Sequence, residues 1–496
     1  MDEPLESVRA AAEARVAQAL HRVAQLSQAA PTDGLSEGAA LQAAYDALVG
    51  AHAAGVERFP HAASAVFMRL AAHDWLARMG DLGETERRLA EKGESVGVHM
   101  QTARLGPAAE DRIELLRQRR AWGRALEART TPVVRAPRGG GGKRRIGFVT
   151  DELRQTNVGV FAWPLFEHRD RERFELFVYT RQDRPEDPIQ ALFRGWTDVW
   201  RCAPGATPQA MAELIAADGL DMLIELGAEF SWQVAAHRPA PIQASWLGYP
   251  TSVGLSAIDY FIADPHLAPE DPRMMLEQPL LAPHCWLAMT EAYFEAEPPL
   301  RAEIPEARNG VVTFGTMNGV FKMSAACLDL WAQVVAAEPG SRFLFVRPEA
   351  GAAIFRENVR RIFGARGVAP DRILFAPIRG RHLPYYDEID VSLDTFPVTG
   401  GTTTCESLWM GVPVVSLVGA APFERVSYSV LASAGLGHLA ARTPQAFFEI
   451  ATALARDRPG REAMRRDLRR HIRAHPIGRP EAFAKDFYDM LAKAIR

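Results

Sequence analysis

The run Asp394-Thr395-Phe396-Pro397-Val398-Thr399-Gly400-Gly401-Thr402-Thr403-Thr404-Cys405-Glu406-Ser407-Leu408-Trp409 carries the residues best suited to chemistry in this chain. It leads from an apolar strand, Val391 to Leu393, through a loop of two glycines and three threonines into a helix. The first N–H groups of a helix lack partners within it and sit at the positive end of its dipole, so they suit a phosphate. A glycine such as Gly401 lets the main chain approach a ligand with no Cβ in the way. Thr403 and Glu406 also fit the S/T-x-x-E capping box, which needs no ligand.

The elements around this run repeat one texture. Arg145 to Thr150, Phe174 to Tyr179, Asp221 to Glu225 and Gln243 to Trp246 read as strands alternating with helices. A second series follows at Val311 to Phe314, Arg342 to Val346, Arg372 to Phe375, Val391 to Asp394 and Val412 to Leu417. Alternation of this kind predicts parallel α/β layers, here two doubly wound units facing a cleft, with ligands at the carboxyl ends of the strands. Residues 1–134 are Ala-rich and read as helical throughout. Apolar residues recur at three- and four-residue spacing in stretches such as Val56 to Met79, with breaks at Pro31, Gly50 and Pro60. Stacked helical hairpins are expected there, although no clean repeat of about 34 residues emerges. Residues 135–143, Arg-Ala-Pro-Arg-Gly-Gly-Gly-Gly-Lys, read as a flexible linker. They are not a phosphate loop, which requires a preceding strand and a Gly-Lys-Ser/Thr ending. The α/β units then span 144–300 and 301–496, and the closing helix from Pro480 is amphipathic and free to cross back to the first unit.

Bulk properties exclude several classes. With 496 residues, 48% apolar and 24% charged, the chain has the composition of a multidomain globular protein. A formal charge of −4 leaves no electrostatic footprint for nucleic acid. Cys202, Cys285, Cys327 and Cys405 are scattered singly, which predicts free thiols in a reducing compartment rather than disulfides or a zinc site. The first residues lack a signal-peptide pattern and no apolar run reaches the ~18 residues of a membrane span. A cytoplasmic protein without a membrane partner is expected.

Together with Arg238-Pro-Ala-Pro-Ile-Gln-Ala-Ser-Trp-Leu-Gly-Tyr-Pro250, the Asp394 to Trp409 block resembles the O-linked N-acetylglucosamine transferase and SPINDLY-like family of protein glycosyltransferases, of the family 41 type. Ser256 to Tyr260, Asp264-Pro265 and Gly411-Val-Pro413 extend the likeness over roughly residues 144–490. The resemblance implies a GT-B fold, in which the two units are Rossmann-like, a nucleotide-sugar donor bound to the second of them and a polypeptide acceptor. In the family's bacterial members helical repeats in front dock the acceptor, and the helical region here has that place. Lys322, in Asn318-Gly-Val-Phe-Lys322, matches the family lysine that neutralises the departing diphosphate, where a cation takes up growing charge. Thr402 and Thr403 match the donors to the diphosphate. Glu406 matches the acidic residue on the ribose, His382 the histidine beside the base, and Arg379 stands where the family often has lysine. Arg425 lies close to the cleft by the same likeness.

The first unit departs from the family pattern. Thr156 stands where most relatives carry a loop histidine, and Gly227-Ala228-Glu229-Phe230 replaces a Gly-His-Thr loop. Proton removal would then fall to Glu229, to Asp151, or to water and a phosphate oxygen. A carboxylate can serve if burial raises its pKa. No Asp-x-Asp triplet occurs in the chain. Lysine and a helix N-terminus can do a metal's electrostatic work, so neither metal nor cofactor is expected. The leading expectation is transfer of N-acetylglucosamine from its UDP form to Ser or Thr of an acceptor protein, with flagellin one candidate by association alone. UDP-glucose or GDP-fucose as donor, a small-molecule or polysaccharide acceptor, and an inactive nucleotide-sugar-binding scaffold are the alternatives.

Overall fold

The computed structural model describes residues 3–28, 34–56, 62–78, 101–102, 105–136, 142–227, 229–291, 300–380 and 382–495. Two parallel sheets form its frame. The first contains β1 (Arg144–Val149), β2 (Phe174–Thr180), β3 (Val199–Cys202), β4 (Met222–Glu225), β5 (Ile242–Ser245), β6 (Tyr260–Ala263) and β7 (Gln278–Leu281), in the order β3-β2-β1-β4-β5-β6-β7. The second contains β8 (Val312–Thr316), β9 (Ser341–Val346), β10 (Ile373–Ala376), β11 (Val391–Leu393), β12 (Val414–Leu417) and β13 (Ala440–Ala441), in the order β10-β9-β8-β11-β12-β13. The strand order reverses at β1/β4 in one sheet and at β8/β11 in the other, and ligands of doubly wound sheets bind at such reversals. The central strands are apolar because helices cover both of their faces, as parallel sheets require. Met222 to Glu225 and Val391 to Leu393 are buried without a break.

The closing helix, Pro480–Ala494, does cross back to the first sheet. It turns Phe483, Phe487, Tyr488 and Leu491 inward. The Tyr488 hydroxyl donates to the Leu165 carbonyl at 2.9 Å, and Phe487 packs on Trp246 with ring centroids 4.6 Å apart.

The helical region lies on both units. Helix Glu3–Gln28 packs on helix Gly34–Ala53, which runs unbroken through Gly50. That second helix lies directly against the second unit: a Cβ on Gly34 would stand 2.2 Å from the Pro377 carbonyl oxygen, and one on Gly38 2.6 Å from Gly351 Cα. Helix Ala109–Glu127 lies on the first unit. There the Arg119 guanidinium sits 4.7 Å from the ring centroids of both Trp122 and Trp232 and donates to the Val253 carbonyl. The same helix reaches the second unit through Arg112, whose Nε donates to Glu424 at 3.1 Å. The segment before the glycines is also anchored, since Val133 N donates to His237 O and Ala136 N to Ala216 O. Residues 137–141 of the expected linker, and the expected breaks at Pro31 and Pro60, lie outside the described residues. No helix among the described residues is long and apolar enough to cross a membrane.

Candidate active site

The site is assembled at the carboxyl ends of β8, β10 and β11. Its hub is Asp394, the residue after β11, which is 1% exposed. Its Oδ1 accepts from Asn318 Nδ2 at 3.1 Å, Thr395 N at 2.9 Å and Gly400 N at 2.8 Å, and its Oδ2 accepts from Ser416 Oγ at 2.6 Å. Burial pushes its carboxyl above the usual range, opposed by these hydrogen bonds and by Lys322. One carboxylate thereby pins the glycine loop, the β8 loop and β12 to each other.

Lys322 ends a short 3₁₀ turn, Val320–Lys322, just after β8. Its Nζ donates to the Thr399 carbonyl at 2.9 Å, which brings the lysine against the glycine loop. The side chain is half-buried, and its pKa is lowered to about 8 by desolvation, with Asp394 opposing the shift and Arg347 adding to it. An ammonium in that position lacks a full counter-charge and favours an incoming anion.

Helix Thr402–Trp409 starts at Gly401 as its N-cap, with no side chain among the described residues bonded to its first N–H groups. The capping box is therefore not formed. Thr403 lies inside the first turn, where its Oγ1 donates to Asn318 Oδ1 at 2.8 Å. Glu406 turns away from the backbone, and its Oε2 meets His382 Nε2 at 2.9 Å. The Thr404 hydroxyl pairs with that of Ser427 at 2.8 Å. Of the three threonines, Thr402 is the one whose hydroxyl takes no hydrogen-bond partner among the described residues, and it stands at the uncapped helix start. Lys322, Gly401, Thr402, Thr403, Glu406 and His382 are thus brought to one sheet edge.

Other expected residues are placed differently. Arg379, in the loop after β10, sends Nη1 to Glu37 Oε2 at 3.0 Å and to the Leu26 carbonyl, so it serves as a tie to the helical region. Arg425 is 3% exposed and binds the His266 carbonyl and Glu270, joining the two units rather than presenting a free cation. Glu229 is exposed at the first residue of helix Glu229–Ala236, so the burial a general base would need is absent. Asp151 is held in an ion pair with Arg181 at 2.6 Å and also accepts from Thr180 and Arg181 N. Thr156 caps helix Asn157–Glu167 by accepting from Gly159 N. Asp394 and Asn318 lie inside the two motifs, but residue type and spacing assign neither of them a role. The signal available was a carboxylate at a strand end followed by two glycines, since a loop so poor in side chains needs an outside acceptor for its N–H groups.

Comparisons with known proteins agree with this geometry. The model of glycosyl transferase family 41 matches residues 133–280 and 302–485. SPINDLY of Arabidopsis thaliana, described as a probable UDP-N-acetylglucosamine–peptide N-acetylglucosaminyltransferase, is 30% identical over 351 residues, which is 68% of this chain and 38% of that protein. SPINDLY of Hordeum vulgare, with the same description, is 32% identical over 352 residues, 68% of this chain and 37% of that protein. The chain therefore spans well under half the length of these curated relatives. A mutant of Thermobaculum terrenum O-GlcNAc transferase superposes with a TM-score of 0.75 at 27% identity, covering 98% of each chain. Two facing parallel α/β units of the GT-B kind, a helical region in front and a family match across both units have one consistent reading: this chain belongs to glycosyl transferase family 41.

Proposed function

We propose that the protein transfers a sugar from a nucleotide sugar, UDP-N-acetylglucosamine first among the candidates, to a serine or threonine of an acceptor protein, without a metal ion. The observation that carries this reading is the convergence of Lys322 and the uncapped start of helix Thr402–Trp409 at the strand reversal of the second sheet. A leaving diphosphate gains negative charge as its bond to the sugar breaks. A desolvated ammonium and helix N–H groups aimed at that charge lower the barrier, typically by 10²–10³ in rate for each such contact. The Thr402 hydroxyl would donate to a phosphate oxygen, and the Glu406–His382 pair would meet the ribose and base. With Glu229 exposed and Asp151 paired to Arg181, the acceptor's proton is left to water or a donor phosphate oxygen. The acceptor would dock along the helical region. Relatives described as peptide N-acetylglucosaminyltransferases support the donor and the acceptor class.

A second reading, a nucleotide-sugar-binding scaffold without transfer, draws on those same two carboxylates. One experiment separates them. The protein is incubated with UDP-N-acetylglucosamine, UDP-glucose or GDP-fucose, with and without cell lysate and with and without EDTA, and nucleotide binding, nucleotide release and labelled protein are measured. Label on protein from the first donor supports the proposal. Nucleotide binding without label in any arm supports the scaffold, and loss of transfer in EDTA overturns metal independence.

A further inference from the structure

Residues 377–380 and 382 follow β10, and two of the ties among these described residues matter here. At one, Arg379 binds Glu37 of helix Gly34–Ala53 at 3.0 Å. At the other, His382 binds Glu406 of the diphosphate-side helix at 2.9 Å. Glu37 is 3% exposed, and a second guanidinium, Arg69, meets its other oxygen at 2.5 Å while also pairing with Glu349 after β9. Gly34, Glu37 and Gly38 stand at i, i+3 and i+4, so they share one helix face. The two glycines remove the side chains that would hold this face off, and their missing Cβ positions fall within 2.2–2.6 Å of second-unit backbone. A buried carboxylate is thereby seated between two arginines, directly on the loops that follow β9 and β10. Charge-assisted hydrogen bonds in such a setting fix geometry more firmly than neutral ones.

We propose that Glu37 is a positioning residue for the nucleotide end of the donor site: acting through Arg379, it fixes the loop that presents His382 to Glu406. The helical region is then a wall of the donor site as well as a surface for an acceptor. The inference rests on the donor reading given above. It predicts that changes in the helical region alter nucleotide affinity without touching the reacting atoms.

The test is titration of the full chain with UDP, together with steady-state kinetics in the nucleotide-sugar donor. Glu37→Gln keeps shape and removes the charge; it is expected to weaken UDP binding 5- to 10-fold and to raise KM for the donor by a similar factor, with kcat at saturation unchanged. Arg69→Lys, which disturbs helix packing but leaves the Glu37–Arg379 pair, should bind UDP within twofold of the parent. Glu37→Gln and His382→Gln combined should lose less than the product of their separate effects. If Glu37→Gln does not fold, Arg379→Gln, which leaves Glu37 paired with Arg69, carries the same expected loss. Unchanged or tighter UDP binding in a folded Glu37→Gln overturns the inference alone. So does an equal loss in Arg69→Lys. A parent protein that binds no nucleotide overturns the donor reading and this inference with it.

Discussion

A lysine whose pKa is drawn down to about 8 serves as a cation only while the pH stays below that value. The kcat/KM for the donor, which reports the free enzyme, should therefore decline as pH rises from 7 to 9, and Lys322→Arg, whose charge persists, should move that decline upward if it retains activity. Lys322→Met should cut transfer by about 10²-fold or more, since one well-aimed electrostatic contact is lost. The same substitution should leave the fold more stable. Lys322 titrates lower in the folded chain than its ordinary 10.5, so between about pH 8 and 10.5 the unfolded chain holds more protons and stability rises with pH. Below pH 8 the full penalty is present, and removing it should gain on the order of 2 kcal/mol. Thermal unfolding of parent and Lys322→Met at pH 7 and 9.5 checks the sign: the variant's advantage should shrink at the higher pH. An equal Tm difference between parent and variant at both values would mean that burial exacts no penalty from this lysine. The position of Lys322 was readable because it follows a strand within a recognisable motif. The pairing of Thr403 with Asn318 was not, because the partners stand 85 residues apart and meet only when β8 and β11 become neighbours. The bond matters chemically, because a hydroxyl that gives its proton to Asn318 has none to offer a phosphate.

Between residues and the whole chain, the loop from Asp394 to Gly401 is an element without regular structure that is nevertheless rigidly placed. Its N–H groups at Thr395 and Gly400 find their acceptor in Asp394, and a buried donor left unpaired costs about 1–3 kcal/mol. Asp394→Asn puts an amide where an acceptor is needed. It should lower Tm and weaken nucleotide binding together, while Ser416→Ala, which removes one bond to the other oxygen, should do less of each. Unfolding curves and UDP titrations on the two variants decide, and an Asp394→Asn protein that binds UDP normally would show that the loop holds its shape without this hub. Elements of this sort escape a reading of periodicity because they have none. Among regular elements, legibility followed burial only in part: β6, Tyr260–Ala263, is mostly buried yet escapes a reading as a strand, because at four residues it is too short to show a period. β8, β9, β11 and β12 were evident as apolar runs buried along most of their length, and β10, an edge strand in which only Ile373 is fully buried, was evident from the apolar run Ile373-Leu-Phe375. β3 is half-buried along its length, β7 is an exposed edge containing Pro279, and β13 spans two residues, so none of these carries a period to detect. The amphipathic closing helix was visible in the sequence, but its docking against Leu165 and Trp246 depended on a sheet more than 200 residues away in the chain.

At the scale of the molecule, the abrupt change from helical to α/β texture and the glycines at 139–142 suggest a helical region that could be removed at the linker. The packing argues for one cooperative body. Gly123 of helix Ala109–Glu127 lies so close to the first unit that an added Cβ would stand 2.0 Å from the Gly254 carbonyl oxygen. Arg112 reaches Glu424, Arg69 reaches Glu349, and Asn358 Nδ2 donates to the Leu70 carbonyl. Cutting at residue 140 would leave Glu349 and Glu424 without these cations. It would also open to water the apolar surfaces of Trp232 and Val253 that helix Ala109–Glu127 covers. Glu349 keeps Arg347 at 3.3 Å, so the heavier loss is the apolar surface opened to water, at about 25 cal/mol per Å², against a whole stability of only about 5–15 kcal/mol for an ordinary domain. The fragment 140–496 is therefore expected to be insoluble or to unfold without a cooperative transition, and to bind no UDP. A gentler probe of the same contact is Gly123→Ala. The added methyl must push helix and loop apart, at about 1–3 kcal/mol, and should lower Tm by several degrees with nucleotide affinity largely kept, because the strain falls on the first unit. Thermal unfolding and UDP titration of both proteins settle the question. A fragment that unfolds cooperatively and binds UDP like the full chain would show that the helices are a detachable docking arm, and Gly123→Ala would then leave Tm where it is in the parent.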